Sequence, residues 1–308
     1  MRAICVNYKL KHSKMLRRVV KYIRDKELLQ QGDRVLVCVS GGADSMALLD
    51  VLKRGGFDCV IAHCNFHLRG KESERDEAFV KQIADEDILR VAHFDTQAYA
   101  QENGISIEMA ARELRYRWFG ELAAQEGCKA IAVAHHQHDQ AETILLNLKR
   151  GAGIRGLCGM RAKSKNPYCN NEIPVIRPLL CTTRDYIEHY LRDIRKIAWV
   201  EDSTNSDVRI KRNAVREQLK GYSKAEIEHI AETAAHMQGY VDWLEGRETA
   251  EAGRVKLYEK LKDYGFAEVD KIYDALQRGV GGKVFESATH RAEVRHRELK
   301  IEAKGTNE

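Results

Sequence analysis

Residues Ser40–Ser45 combine two glycines, two hydroxyls and one carboxylate in a short turn. The run before it, Arg34–Val39, is apolar and β-branched like a buried strand, and Met46–Leu52 after it has the composition of a helix. Such a turn exposes backbone N–H groups beside the positive end of a helix dipole, and both attract phosphate. Asp44 suits a phosphate site only with a cation between the two, so the turn predicts a phosphate site with a metal ion on Asp44.

The same turn excludes one large class of phosphate-binding proteins. It lacks the Gly-Lys-Ser/Thr ending of a Walker A loop, which disfavours a kinase or GTPase that transfers a γ-phosphate. A second pattern, Gly151–Gly156, spells G-x-G-x-x-G but follows a helix-like segment, so we do not interpret it as a dinucleotide fingerprint. Gly151 is instead predicted to end that helix, and Arg155 in the following loop could meet a substrate.

Polar side chains also follow two other strand-like runs. After the second run come four groups that suit an anion or a nucleobase: His63, Asn65, His67 and Arg69. After the fourth run comes His135–Asp139, with three histidines and an aspartate. This cluster fits either a zinc or di-metal centre or a helix start in which His135 or His136 faces a crevice and Asp139 favours the helix dipole.

Two arginines lie three residues apart in a helix-like segment. Arg112 and Arg115 share a face with Glu108, outside the apolar stripe that begins at Ile107. An internal ion pair with Glu108 explains them, and so does a guanidinium aimed at phosphate. From the residues alone both interpretations stay open.

Four strand-like runs alternate with helical patterns along the first half of the chain. The runs are Arg34–Ser40, Asp58–Cys64, Ile88–Phe94 and Ala130–Ala134, and the helices are Ala43–Arg54, Glu72–Asp85, Ser106–Gln125 and His138–Arg150. Continuous apolar strands that alternate with helices predict a parallel sheet covered on both faces. Ligands of such sheets bind outside the carboxyl ends of the strands, so we expect the three polar segments to share one crevice.

Composition sets the broad class. The chain has 308 residues, enough for one large domain or two ordinary ones, and a composition typical of a soluble globular protein. Its 8 cysteines include no C-x-x-C pair, which fits neither a disulfide framework nor a zinc or iron–sulfur site and suits a reducing cytosol. No signal peptide or membrane-spanning run is predicted. The net charge of +5 is weak evidence for an anionic partner.

Beyond Asn205 the β/α alternation ends and charged helices follow. Basic residues crowd positions 11–24 and 209–216, and each cluster suits either a solvated helix face or a nucleic-acid contact. Three short segments near the C-terminus predict small strands: Lys283–Phe285, Ala292–Arg295 and Leu299–Ile301.

The ordered set of motifs resembles the N-type ATP pyrophosphatases, and within them it is similar to the tRNA(Ile)-lysidine synthetase family. The phosphate turn alone marks only the superfamily, whereas the ordered set is much more specific. The resemblance runs from about Arg34 to about Arg216. The matching segments are Ser40–Ser45, His63–Gly70, Ala111–Tyr116, Ala134–Thr143, Arg150–Gly153, Gly156–Leu157, Arg177–Leu180, Glu201–Asn205, Arg212–Asn213 and Arg216.

This resemblance implies a fold and a reaction. The fold is a Rossmann-like parallel sheet with helices on both faces, like that of the adenine nucleotide α-hydrolases, followed by a smaller, mainly helical domain. The reaction is ATP-dependent adenylation of the C2 oxygen of the wobble cytidine in the CAU anticodon of tRNA(Ile). Free L-lysine then attacks that carbon and displaces AMP. The implied cofactor is Mg²⁺ on Asp44, the implied location is the cytoplasm, and a homodimer is left open.

The resemblance also implies roles for individual residues. Catalytic roles fall to Asp44, Arg112 and Asp139, with Arg112 stabilising charge during adenylation and Asp139 binding or deprotonating the lysine ammonium. ATP binding falls to Ser40, Gly41, Gly42, Ala43, Asp44, Ser45 and His63. Positioning of lysine or of the base falls to Asn65, His67 and His135. Contacts with the tRNA fall to Arg155, Arg209, Arg212 and Arg216.

We therefore expect a basic N-terminal extension and helix over residues 1–31, a catalytic domain over 32–216, and a tRNA-contacting C-terminal domain over 217–308. That last domain is shorter than in many family members. Three alternatives remain: a tRNA cytidine thiolase, which the missing C-x-x-C pairs disfavour, a metallohydrolase built on His135–Asp139, and a non-enzymatic RNA-binding module, which leaves Asp44 unexplained.

Overall fold

The computed structural model describes residues 13–84, 88–201, 211–279 and 281–304 of the chain. Contacts divide the chain into two compact units. Unit 1 comprises Met1–Leu146 and Met160–Glu228, and unit 2 comprises Asn147–Gly159 and His229–Glu308.

Unit 1 alternates helices and strands, as the sequence predicts. Its first elements are α1 (Lys14–Asp25), β1 (Arg34–Cys38), α2 (Ala43–Arg54), β2 (Asp58–Asn65), α3 (Lys71–Ile83), β3 (Leu89–His93), α4 (Thr96–Asn103), α5 (Ile107–Gln125), β4 (Ala130–Ala132) and α6 (Gln137–Lys149), whose last turn belongs to unit 2. A one-turn helix of unit 2, α7 (Ile154–Leu157), interrupts the unit. Unit 1 then continues with β5 (Lys163–Ser164), β6 (Val175–Ile176), a 3₁₀ turn (Pro178–Cys181), α8 (Arg184–His189), a π-helical turn (Tyr190–Arg195) and α9 (Lys211–Leu219).

The sheet of unit 1 has the order β3-β2-β1-β4-β6-β5, and every neighbouring pair is parallel except β5 and β6. Central strand β1 is buried on both faces: Val35 and Val37 pack into one apolar cluster, and Leu36 packs into another on the opposite face. This two-sided burial explains why the strands are continuous apolar runs. The predicted parallel α/β fold is confirmed.

Unit 2 packs helices against a small sheet. Helix α10 (Lys224–Leu244) begins in unit 1 and continues into unit 2, where α11 (Ala250–Leu261), a 3₁₀ turn (Lys262–Tyr264) and α12 (Val269–Arg278) follow. Strands β7 (Lys283–Glu286), β8 (His290–Arg295) and β9 (Glu298–Ala303) form an antiparallel sheet in that order. The three predicted small strands are therefore confirmed. Their core contains Leu261, Ile272 and Val294, all fully buried.

Gly151 ends helix α6 as predicted. Its φ of 70° lies in the left-handed region, and its N–H donates to the carbonyl of Leu148 at 3.0 Å. The next N–H, that of Ala152, donates to the carbonyl of Asn147 at 3.0 Å.

Among the helices that the structure describes, none has the length and apolarity that crossing a membrane requires.

A glycine in α10 allows close helix packing in unit 2. A Cβ at Gly239 would lie 2.6 Å from the carbonyl oxygen of Glu251 and 2.9 Å from a methyl group of Val255. Neither helix can give way locally, because the nearest atom belongs to the backbone. We expect Gly239→Ala to lower the free energy of unfolding by about 1–3 kcal/mol, measured by urea denaturation. Gly281→Ala is the matched control, because its Cβ would meet no described atom within 4 Å.

Candidate active site

Hydroxyl groups shape the turn after β1. Ser45 Oγ donates to the carbonyl of Gly42 at 2.9 Å and accepts the N–H of Ser40 at 3.2 Å. Ser40 Oγ accepts the N–H of Gly42 at a longer 3.4 Å. These bonds fix the entry into α2, whose first-turn N–H groups have no partner within the helix. The turn therefore presents backbone donors in a fixed arrangement, which suits an anion.

Gly41 has to be glycine because its φ of 91° is strained for other residues. Space is not the constraint, since a Cβ there would lie at ordinary contact distances of 3.4 Å from Phe79 and 3.5 Å from Val200. Val200 also donates its N–H to the carbonyl of Gly41 at 2.9 Å. The segment around Val200 is thereby held against the turn.

The turn opens into a cavity of about 760 Å³ within unit 1. Residues from α2, α6, α8 and α9 line it, together with Trp199, Val200 and Glu201. The lining includes Ser40, Gly42, Ala43, Asp44, His136, His138, Asp139, Glu142, Arg184, Glu188, Arg192, Val200, Arg216 and Lys220. The ends of β1 and β4 therefore share one crevice, as predicted.

The loop after β2 does not join this crevice. Among the described lining residues none comes from His63–Arg69, and Phe66, His67 and Leu68 instead line a separate cavity of about 420 Å³. The prediction of one crevice for all three polar segments is wrong in this respect. The physical reason is that this loop turns toward β3: His67 stacks on His93, with 3.1 Å between the two ring nitrogens.

An ion pair joins the turn to α8. Arg184 Nη1 donates to Asp44 Oδ2 at 2.6 Å, and Arg184 Nε donates to Glu188 at 2.9 Å. Burial alone would lower the pKa of Arg184, but Asp44 and Glu188 outweigh burial and raise it. The guanidinium is therefore charged at every pH at which the protein folds.

His136 lies between two carboxylates. Its Nε2 is 3.5 Å from Asp44 and 3.5 Å from Asp139, and the residue is only 5% exposed. Burial alone would lower the pKa of His136, but Asp139 and Asp44 outweigh burial and raise it above the usual value. The imidazole therefore tends to carry a positive charge between two negative ones.

Asp139 bonds to the start of α6, and His138 bonds to the start of α8. Asp139 Oδ2 accepts the N–H of His136 at 3.0 Å, so it caps the helix in which it stands. His138 Nδ1 accepts the N–H of Arg184 at 3.2 Å, and burial with the nearby His136 lowers its pKa. The predicted favourable contact of Asp139 with the helix start is present, beside its position in the cavity.

A second ion pair joins α6 to α9. Arg216 Nε donates to Glu142 Oε2 at 2.8 Å, and the Glu142 side chain is only 3% exposed. The Arg216 side chain is 38% exposed and lies at the cavity wall. Glu142 is therefore a buried carboxylate with a charged, hydrogen-bonded partner, as burial of a charge requires.

The residues predicted to bind ATP or to position substrates occupy different places. His63 Nδ1 donates to the Val39 carbonyl at 2.8 Å, next to the turn, and burial lowers the pKa of the ring. Asn65 is buried and donates to Glu77 at 2.7 Å. Neither His135 nor Asn65 is among the described residues that line the 760 Å³ cavity, whereas His136 is.

The predicted arginines are spread over the chain. The Arg112 guanidinium lies 5.0 Å from the centroid of the Tyr116 ring, and Arg115 lies 4.9 Å from that of Phe66. Arg155 belongs to unit 2, where it pairs with Glu245 at 2.7 Å. Arg209 and the side chain of Arg212 lie outside the described residues.

The chain is similar to two protein families and to several named relatives. It matches the PP-loop domain family over residues 11–222 and the TilS substrate binding domain over residues 246–304. It is 43% identical to a tRNA(Ile)-lysidine synthase from Porphyromonas gingivalis, over 89% of this chain and 64% of the relative. It is 41% identical to one from Parabacteroides distasonis, over 90% of this chain and 67% of the relative.

The chain belongs to the tRNA(Ile)-lysidine synthase family. It spans only 64% of the length of the Porphyromonas relative. Among solved structures, the U34-tRNA thiolase NcsA from Methanococcus maripaludis, solved with its 4Fe-4S cluster, shares the fold. The TM-score is 0.55 and the identity 17%, over 76% of this chain and 80% of that one. At that identity the likeness concerns the fold alone.

Membership in the lysidine synthase family disfavours the alternatives. The metallohydrolase interpretation needs His135–Asp139 to hold a metal, but His136 faces two carboxylates instead. Among the described residues, no group of three or more histidine, cysteine, aspartate or glutamate side chains is placed to hold a metal ion. The thiolase NcsA shares the fold of this chain, but this chain lacks the C-x-x-C pairs that a tRNA cytidine thiolase generally needs.

Sequence reasoning missed Arg184 and the pairing of Glu142 with Arg216. Arg184 lies 140 residues from Asp44 along the chain, and Arg216 lies 74 residues from Glu142. A pattern within a short window cannot reveal such pairs. The one available signal was Arg184 itself, a basic residue at the start of a helix, where the dipole disfavours positive charge.

The charge on His136 should make stability depend on pH. Because its folded pKa is raised, its contribution is complete below the unfolded value of about 6.5 and is lost as pH rises through the folded value. We expect His136→Gln to remove this dependence, measured as urea stability at about pH 6 and about pH 9. NMR titration of the ring should give a pKa above about 6.5.

His236→Gln is the matched control, since His236 is exposed in unit 2. A His136 variant with the same pH profile as the parent would contradict the proposed charge state. The pKa of the neighbouring His138 is shifted the other way, downward, by burial and by His136, so its titration is opposite in sign to that expected for His136.

Proposed function

We propose that this chain carries the catalytic part of a tRNA(Ile)-lysidine synthetase. ATP adenylates the C2 oxygen of the wobble cytidine in the CAU anticodon of tRNA(Ile), and pyrophosphate leaves. The side-chain amine of free L-lysine then attacks C2, and AMP departs with the former carbonyl oxygen. Adenylation is needed because that oxygen is a poor leaving group, whereas AMP is a good one.

One observation carries the proposal: the phosphate turn and a carboxylate-lined helix start face the same cavity. Ser40–Ser45 supplies backbone donors, and Asp139 lines the same cavity, with the His136 ring nitrogen 3.5 Å from both Asp44 and Asp139. Anion-binding donors and a carboxylate in one cavity suit a reaction between a nucleotide and an amine. The family match over residues 11–222 and 246–304 supports both the nucleotide and the tRNA sides of this proposal.

Asp44 fits a magnesium ion. Its Oδ1 is buried and accepts no hydrogen bond from the described part of the chain, and the His136 ring nitrogen Nε2 lies 3.5 Å from it. Mg²⁺ binds carboxylate oxygens and takes its other ligands from phosphates and water. An ion held by Asp44 would neutralise charge between this carboxylate and the phosphates. The backbone donors of Gly41, Gly42 and Ala43 would hold the phosphate oxygens, and Ser40, Ser45 and His63 would shape the site around them.

Asp139 is the proposed partner of the lysine ammonium, because an amine attacks only as the neutral base. Its position between the His136 main chain and ring keeps its oxygens at the cavity wall. Arg112 is proposed to stabilise charge during adenylation. Asn65, His67 and His135 remain candidates for positioning the lysine or the base.

The tRNA contacts are proposed for Arg155, Arg209, Arg212 and Arg216. Residues 32–216 would form the catalytic domain and 217–308 the tRNA-contacting domain, after an N-terminal extension over 1–31. Residues 246–304 match the TilS substrate binding domain, which supports a substrate role for that region. A cytoplasmic location and a homodimer stay predictions.

The decisive experiment is an ATP–pyrophosphate assay with each co-substrate left out in turn. We expect AMP and pyrophosphate to form in full turnover only when both L-lysine and a CAU-anticodon tRNA(Ile) transcript are present. Equal turnover without tRNA, or ADP and phosphate as products, would overturn the proposal.

Removing the charge of Asp44 should abolish adenylation. We expect Asp44→Asn to lower the rate of pyrophosphate release by at least about 100-fold, because the cation loses its carboxylate. Asp185→Asn is the matched control, since Asp185 lines the same cavity and is exposed. An Asp44 variant that adenylates at the parent rate would remove its assigned role.

Arg216→Ala should have two separable effects. It should weaken tRNA binding with a shallower salt dependence, because one phosphate contact is lost. It should also lower the free energy of unfolding by about 1–3 kcal/mol, because buried Glu142 loses a charged partner.

The double variant Arg216→Ala, Glu142→Gln separates the two effects. Neutralising the buried carboxylate should recover much of the stability, measured by urea denaturation, while leaving the tRNA affinity low. Recovery of tRNA affinity in the double variant would show that Arg216 acts only through Glu142.

A further inference from the structure

The Asp44–Arg184 ion pair places a guanidinium where the proposed chemistry needs a cation. Asp44 stands in the first turn of α2, where N–H groups attract anions, yet its own charge repels them. Arg184, at 2.6 Å, neutralises that charge without any metal ion. Arg184 holds Oδ2 and leaves Oδ1 without a hydrogen bond, so a divalent cation on Oδ1 would lie beside the guanidinium and repel it from the same carboxylate.

Arg184 has more donors than these contacts use. A guanidinium has five N–H groups, and only two of them are engaged here, one by Asp44 and one by Glu188. The other three have no hydrogen-bond partner among the described residues, and the side chain is 38% exposed at the cavity wall. Arginine binds phosphate through paired donors, so these groups suit a polyphosphate.

The contacts around Arg184 allow its guanidinium to change partners. Its main-chain N–H is anchored to His138 Nδ1 at 3.2 Å, and its Nε is held by Glu188 one turn further along α8. Only the Nη1 contact reaches Asp44. The outer end of the guanidinium can thus leave Asp44 while the anchor and the Glu188 bond remain.

We propose that Arg184 is a polyphosphate-binding residue that exchanges partners when nucleotide arrives. A divalent cation replaces it on Asp44, and its Nη groups turn to the phosphate oxygens while Nε stays on Glu188. This inference rests on the proposed function only as far as the cation on Asp44 and polyphosphate binding. It requires neither lysine nor tRNA.

Two binding measurements on the full chain test the exchange: calorimetry with inorganic pyrophosphate and Mg²⁺, and electron paramagnetic resonance with Mn²⁺ alone. We expect Arg184→Gln to weaken pyrophosphate binding at least about 10-fold, because charge-assisted hydrogen bonds are lost. We expect the same variant to bind Mn²⁺ alone about 3- to 10-fold more tightly, because the competing cation is gone. Asp44→Asn should lose Mn²⁺ binding.

Arg192→Gln is the matched control. Arg192 lines the same cavity and also pairs with Glu188, at 3.6 Å, but its guanidinium lies over Trp199 instead of at Asp44. The Arg192→Gln variant should leave Mn²⁺ binding unchanged.

Arg184→Lys keeps the positive charge but lacks the paired donors of the guanidinium, so its pyrophosphate affinity should lie between those of the parent and Arg184→Gln. This variant carries the test if Arg184→Gln does not fold.

Unchanged pyrophosphate affinity in both Arg184 variants, or weaker Mn²⁺ binding in Arg184→Gln, would show a purely structural ion pair and overturn the inference. A parent chain that binds pyrophosphate as expected but forms no lysidine would overturn the proposed reaction alone. The two failures are therefore distinguishable.

Discussion

A carboxylate in the first turn of an anion-binding helix is the constraint on which the rest of the site depends. The N-terminus of α2 favours both Asp44 and a phosphate, but the two repel each other. Two groups offset the charge of Asp44: the guanidinium of Arg184 lies at 2.6 Å, and the ring of His136, whose pKa is raised, lies at 3.5 Å. Any polyanion that enters therefore meets a balanced charge instead of a bare carboxylate.

Other carboxylates that line the cavity are also paired with donors, and these pairs link the elements around it. Asp139 takes the N–H of His136 within α6, and buried Glu142 takes Arg216 from α9. Each acid is thus held by a group on its own helix start or on another element. Because the partners come from α2, α6, α8 and α9, neutralising one acid changes the environment of the others. The geometry of the cavity and the packing of these helices are therefore coupled.

Much of the fold was predictable because it follows from local patterns. Apolar runs that alternate with helical stripes determine a parallel sheet, and the small residues at 40–45 determine the turn between β1 and α2. The charge pairs were not predictable, because Arg184 and Arg216 approach their partners only through the tertiary fold. The predicted place of the loop after β2 in the same crevice was wrong for a related reason. Asn65 bonds to Glu77, and His67 contacts His93. The polar residue types indicated a functional site, but they could not show which cavity each side chain would face.

The fold alone does not decide the chemistry. The NcsA thiolase has the same fold at 17% identity, and this chain has none of the C-x-x-C pairs that such sulfur chemistry generally requires. What differs must lie in the side chains at the carboxyl ends of the strands. Here those side chains are carboxylates with cationic partners, such as Asp44 with Arg184 and Glu142 with Arg216. Under the reaction proposed above, these groups would hold a metal ion and the lysine amine beside the phosphates.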